Sequence, residues 1–168
     1  LLTILAGLNV TGPLPGGDAG ANIEALSSVS RTLNFRLTVR DNRAYVAGST
    51  IGQTAFTDVV VTVTNAAGPF SVTAPNTAVT WNAGTNATVT WNVNGTNAGS
   101  VNCATVNILL STDGGQTFPT VLAAATANDG SQVITVPSSP SSTCRVKVEA
   151  VGNIFFDISN ANFTSGGA

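Results

Sequence analysis

Cys144-Arg145-Val146-Lys147-Val148-Glu149-Ala150 alternates without a break: Cys144, Val146, Val148 and Ala150 fall on one side, Arg145, Lys147 and Glu149 on the other. A period of two is what a half-buried β-strand requires, because successive side chains leave opposite faces of a sheet. The stretch lies near the end of a series of similar runs, which places it as a central strand of a sandwich. Gly152-Asn153-Ile154-Phe155-Phe156-Asp157-Ile158 follows as a turn and then the strand expected to close the sheet.

Working outward, strands are expected over 70–74, 79–81, 87–93, 105–111, 118–124, 132–136, 144–150 and 154–158, separated by turn-forming residues. Ala87, Val89, Trp91 and Val93 share a face, which puts Trp91 in the core. Helical periodicity is absent. The fold class is all-β, with residues 67–168 expected as a complete immunoglobulin-like or fibronectin-type-III-like sandwich.

Residues 1–66 read differently. Strands are expected at 1–10, at 33–40, where Leu33, Phe35, Leu37 and Val39 face inward, and at 59–64, where β-branched residues dominate. The Gly- and Pro-rich stretch 11–22 is a loop, and 44–57 is a loop or irregular hairpin carrying the single Tyr, Tyr45. About four strands are too few for a sandwich of about seven, so this is a partial domain. Open edges and an uncovered core face are costly to leave bare. Upstream sequence, a strand donated by a neighbouring chain or packing on the second domain would complete it.

Composition narrows the function. Charged residues make up 8% of the 168, against about 25% in ordinary soluble proteins. The net charge is −2 with no basic block, which gives nucleic-acid binding no electrostatic basis. So sparse a charge also opposes self-association weakly. His is absent, and with it the commonest general base and zinc ligand. Met is absent too, as expected of a processed product or excised fragment. No apolar run reaches the ~18–20 residues of a membrane span. Catalytic triads, zinc motifs, paired carboxylates and phosphate loops are not found, so enzymatic activity and cofactors are not expected. The Thr-, Asn- and Gly-rich composition suits a secreted protein.

Ser111-Thr112-Asp113-Gly114-Gly115-Gln116-Thr117-Phe118 fits the Asp-box pattern S-x-D-x-G-x-T-[FW]. Asp113 is expected to bond the turn's own backbone while Gly114 and Gly115 take positive φ and Phe118 anchors the next strand. Sialidases repeat this box around a propeller, which one copy in so short a chain cannot build. Its expected role is a hairpin turn.

Cys103 and Cys144 invite a disulfide in a secreted chain. If they begin antiparallel strands, however, about eight residues at ~3.3 Å separate them by about 25 Å, far beyond the ~7 Å a disulfide tolerates. An intramolecular bridge, an intermolecular one and free thiols all stay open. Sequons at Asn9, Asn86, Asn94 and Asn162 offer glycosylation sites, in a number that chance alone supplies with 17 Asn. Asp113, Asp129 and Asp157 are candidates for an oxygen-rich calcium site, but no D-x-D-x-D run supports one and ordinary solvated loops are the expectation.

Four blocks resemble segments of large secreted Bacteroidetes proteins. They are Ser28-Val29-Ser30-Arg31-Thr32-Leu33-Asn34-Phe35-Arg36-Leu37-Thr38-Val39-Arg40-Asp41-Asn42-Arg43, Val89-Thr90-Trp91-Asn92-Val93, Ile108-Leu109-Leu110-Ser111-Thr112-Asp113-Gly114-Gly115, and Val148-Glu149-Ala150-Val151-Gly152-Asn153-Ile154-Phe155-Phe156-Asp157-Ile158-Ser159. In that family β-sandwich modules follow a reprolysin-like zinc metallopeptidase domain and precede a secretion-sorting domain. The peptidase's histidine motif and the sorting domain are missing from this chain, so the resemblance implies the non-catalytic modules alone, with upstream sequence in a precursor.

The expected function is thus a non-enzymatic, extracellular or cell-surface structural and adhesive subunit, with itself as partner in a fibre joined by strand donation. The alternatives are an accessory module that targets a secreted metallopeptidase to substrate or surface, and a module that binds cell-surface glycans.

Overall fold

The computed structural model describes residues 29–49 and 51–166, and among these it is all-β, with no helix. The strand expected at 1–10 lies outside the described residues. The chain divides into two compact units, one of them Val29–Asn65 and the other taking in the chain from Ala66 onward.

The first unit is a single hairpin. β1 (Arg31–Arg40) pairs antiparallel with β2 (Thr54–Val63) in unbroken register, from Arg31 opposite Val63 to Arg40 opposite Thr54. β2 begins well before the β-branched run at 59, because the ladder with β1 recruits Thr54-Ala55-Phe56-Thr57, whose alternation is weak in sequence. Facing residues share a side of an antiparallel ribbon, so Leu33, Phe35, Leu37 and Val39 join Val59 and Val61 on one face. That face was expected to point inward. Instead Phe35, Leu37 and Val39 are 56%, 61% and 59% exposed, the sheet having two strands among the described residues.

The second unit contains β3 (Ser71–Ala74), β4 (Thr80–Asn82), β5 (Asn86–Asn92), β6 (Thr105–Ser111), β7 (Thr120–Ala127), β8 (Ser131–Thr135), β9 (Ser141–Ala150), β10 (Phe156–Ile158) and β11 (Phe163–Gly166). One sheet has the order β4-β11-β9-β6-β7, with β10 also paired to β9; the other is β3-β5-β8. β9 is the middle strand. Its Cys144, Val146 and Val148 are fully buried, while Arg145, Lys147 and Glu149 lie on the other face.

Both sheets contribute to one core: Val72, Val89 and Trp91 from the smaller sheet meet Val106, Ile108, Leu110, Val146, Val148 and Phe163 from the larger. Each such aliphatic or aromatic side chain contributes about 1.5–3 kcal/mol by leaving water. The sheet is not closed by the segment after Gly152 alone. β11 does so, antiparallel to β9 and parallel to β4. Phe163 fills the core from it and packs on Trp81 with ring centroids 4.5 Å apart.

Buried polar groups are paired with care. The Trp91 indole N–H donates to Asn128 Oδ1 at 2.9 Å, and Asn128 Nδ2 donates to Thr96 Oγ1 (3.1 Å) and to the Cys103 carbonyl (3.0 Å). Ser165 Oγ is a buried side-chain polar atom without a hydrogen-bond partner among the described residues.

Candidate functional site

The hairpin of residues 29–65 is the part of the described chain least complete in itself. β-branched and aromatic residues hold it extended, and its base is tied by side chains: Ser30 Oγ donates to Asn65 Oδ1 at 2.8 Å and accepts from the Asn65 N–H at 3.0 Å. At the far end the Asp41 N–H donates to the Gln53 carbonyl (3.2 Å), and Asp41 Oδ1 accepts from the Arg43 N–H (3.1 Å).

The two faces differ. On the polar face Arg36 stands opposite Asp58 and meets it with two hydrogen bonds, Nε to Oδ1 at 2.6 Å and Nη2 to Oδ2 at 2.9 Å. The guanidinium also lies 4.1 Å from the centroid of the Phe56 ring. The pair raises the Arg36 pKa and lowers that of Asp58. Exposed to water, it fixes geometry more than it adds stability. The other face presents Leu33, Phe35, Leu37, Val39, Val59 and Val61, and neither outer edge has a strand partner among the described residues. A two-stranded ribbon of this kind is marginal in water and is a template for a further strand.

The Asp-box residues form the turn between β6 and β7. Asp113 Oδ1 accepts from Ser111 Oγ (2.6 Å) and from the N–H groups of Gln116 (2.9 Å) and Thr117 (3.0 Å), while Oδ2 accepts from Thr117 Oγ1 (2.6 Å). These bonds, led by the Ser111 hydroxyl, hold its carboxyl well below the usual carboxylate range. Gly114 and Gly115 take φ of 78° and 93°, a region that costs a residue with Cβ. Ser111 Oγ also accepts from the Gly115 N–H at 2.8 Å. Every donor the carboxylate meets belongs to the turn itself.

Phe118 packs outside the sheet. Lys147 Nζ sits 5.0 Å from its ring centroid and 5.7 Å from that of Phe156, and bonds Glu149 at 2.7 Å.

The remaining candidates scatter. Cys103 and Cys144 are free and buried; the register Val106 to Ala150 and Ser111 to Arg145 puts them at opposite ends of the β6–β9 ladder, so the intramolecular bridge is not formed. Asn9 lies outside the described residues. Asn86, Asn94 and Asn162 are exposed, but Asn94 Nδ2 donates to the Pro69 carbonyl (2.5 Å) and Asn162 Oδ1 accepts from Arg145 Nε (2.5 Å). Asp113, Asp129 and Asp157 do not assemble, and no group of three metal-ligating side chains occurs among the described residues. Asp129 accepts from Ser131 N–H in its own turn (3.2 Å).

Asp157, expected in a solvated loop, is 6% exposed, and its Oδ2 accepts the Val72 N–H at 2.7 Å. It was missed because alternation between Phe156 and Ile158 gives it a face without saying what covers that face. Trp91 is buried and Trp81 packs at a tilt against Phe163, whereas Tyr45 is 74% exposed. No described helix is long and apolar enough to cross a membrane.

Compared with known proteins, the chain matches no family model, no curated protein and no solved structure.

Proposed function

We propose that this chain is a non-enzymatic structural and adhesive subunit of the extracellular space or cell surface, joined to neighbouring copies by strand addition at the hairpin of residues 29–65. One observation carries the proposal: a ten-residue ladder with an exposed apolar face and, among the described residues, no strand on either outer edge. A surface of this kind is stabilised by whatever strand adds to it, through backbone hydrogen bonds for affinity and alternate side chains for specificity. The low charge of the chain supports the same reading, since little repulsion opposes association.

A glycan-binding role has less support: both Trp side chains are engaged in packing, and of the exposed rings Phe35 belongs to the apolar face while Phe56 and Phe156 lie against the Arg36 guanidinium and the Lys147 ammonium, which leaves Tyr45. Sedimentation velocity and electron microscopy of the purified chain test the proposal. Concentration-dependent oligomers or filaments are expected; a strict monomer at every concentration would favour an accessory module instead.

A further inference from the structure

We infer that Asn94 is a site of self-modification: its side-chain amide is lost by attack of the Gly95 backbone nitrogen, and the product lets go of Gly68 and Pro69, which the intact residue holds. Asn94-Gly95 is the sole Asn-Gly pair in a chain with 17 Asn. Asn is among the thermally labile residues, and a following Gly, having no Cβ, leaves its own nitrogen unobstructed. The pair forms the centre of a β-turn that the Thr96 N–H closes by donating to the Val93 carbonyl at 3.0 Å. Asn94 and Gly95 take φ of 45° and 75° there, the two left-handed residues that such a turn asks for.

The turn leaves both reacting groups accessible. Asn94 and Gly95 are exposed among the described residues. The Gly95 N–H has no hydrogen-bond partner among them, so nothing there holds its proton. The Asn94 side chain has one tie, from Nδ2 to the Pro69 carbonyl at 2.5 Å, and its backbone carbonyl accepts the Gly68 N–H at 2.8 Å. Together the two bonds clasp the segment that leads into β3. A glycan would compete for the same Nδ2, but Thr96, the hydroxyl residue of that sequon, is 5% exposed. Its Oγ1 donates to the Val93 carbonyl (2.7 Å) and accepts from Asn128 Nδ2 (3.1 Å). The folded turn therefore withholds the hydroxyl that a glycosylating enzyme reads and leaves the amide to water.

Water is the only co-reactant. The Gly95 nitrogen gives its proton to hydroxide and attacks Asn94 Cγ; the Cγ–Nδ2 bond breaks, and the nitrogen takes a proton from solvent and leaves as ammonia. Water then opens the cyclic imide at one carbonyl or the other, which yields aspartate or its β-linked isomer. Ring closure turns the side chain back toward Gly95, so the Pro69 bond must open first. One hydrogen bond of this kind slows the native chain about tenfold relative to the unfolded one. Neither product restores it, because an ionised carboxylate has no hydrogen to donate and sets acceptor against acceptor at the Pro69 oxygen. The β-linked isomer also adds a methylene to the main chain inside the turn, which displaces the carbonyl that accepts the Gly68 N–H.

The test ages the full chain at mildly alkaline pH, native and in guanidinium, and locates the exchange of amide for carboxyl by peptide mass mapping. Amide exchange of Gly68 is followed in the aged chain, in Asn94→Asp and in Asn94→Gln, with Trp emission as the check on folding. Asn94 is expected to convert ahead of every other Asn in the native chain, about tenfold more slowly than in guanidinium. Gly68 should lose protection in the converted fraction and in Asn94→Asp, while the amides of β9 keep theirs. Asn94→Gln should stay unconverted. If Asn94→Asp fails to fold, the converted fraction of the wild-type chain still reads the release. Another Asn converting first, or a native Asn94 intact over many times the unfolded half-time, would overturn the site. Gly68 protection unchanged in the converted fraction would overturn the release.

Discussion

Asp157 and Val72 join the two sheets of the second unit: the Asp157 carboxylate, in the middle of β10, accepts the Val72 backbone N–H of β3 at 2.7 Å. Around it, Asn76 Nδ2 donates to the Val72 carbonyl (3.2 Å), Asn76 Oδ1 accepts the Asn160 N–H (2.5 Å), and Phe70 meets Phe155 with centroids 5.0 Å apart. One edge of the small sheet is thus clasped to the segment that follows β9. Asp157→Ala strands a buried N–H and removes a charge-assisted bond, and is expected to cost about 2 kcal/mol. Asp157→Asn keeps an acceptor and should cost less. Denaturant melts of both variants check this.

Two carboxyls titrate in opposite senses. Burial pushes the Asp157 carboxyl above its ordinary 3.8, opposed in part by the N–H groups of Val72 and Ile158. Its contribution is therefore full below the unfolded value and falls as pH rises through the folded one. Asp113 is lowered by its turn bonds, so its contribution is present above 3.8 and is lost as pH falls below it. Asp113→Asn is expected to lower the melting temperature near neutrality and to flatten its fall in acid. Asp157→Asn should steepen that fall. Melting temperatures measured across the carboxylate range read both slopes.

The alternation of 144–150 and the face shared by Val89 and Trp91 were legible because period two is a local property. β11 was not: Phe163-Thr164-Ser165-Gly166 offers one large apolar residue, and only its pairing with β4 and β9 makes it a strand. The hairpin shows the same limit from the other side. Sequence assigned Leu33, Phe35, Leu37 and Val39 to one face correctly, but whether a face is covered depends on a layer that no period encodes. The Asp113 bonds to its own turn and the positive φ of Gly114 and Gly115 were legible because those partners are local. The bonds from Ser141 and Thr143 to Thr112 and from Gly114 to Thr143 were not, because they involve β9.

Asn128 holds the indole of Trp91 together with Thr96 and the Cys103 carbonyl. Asn128→Ala leaves the buried indole N–H and the Cys103 carbonyl without these bonds, a loss of about 2–4 kcal/mol. Thermal melts followed by Trp emission should show the lower midpoint, with a red shift of Trp91 as water reaches it.

Ser165 points the other way. Its buried hydroxyl has no partner among the described residues, so Ser165→Ala removes a desolvation penalty without breaking a bond seen there and is expected to stabilise the second unit by about 1 kcal/mol. A rise in the denaturant midpoint at unchanged slope checks it.

The most direct test of assembly through the hairpin is sedimentation velocity of the full chain beside Leu37→Asp, a substitution on its exposed apolar face. The wild-type chain should form larger species as concentration rises, and Leu37→Asp should remain a monomer with unaltered Trp emission. Equal assembly of the two would contradict a joining role for this face.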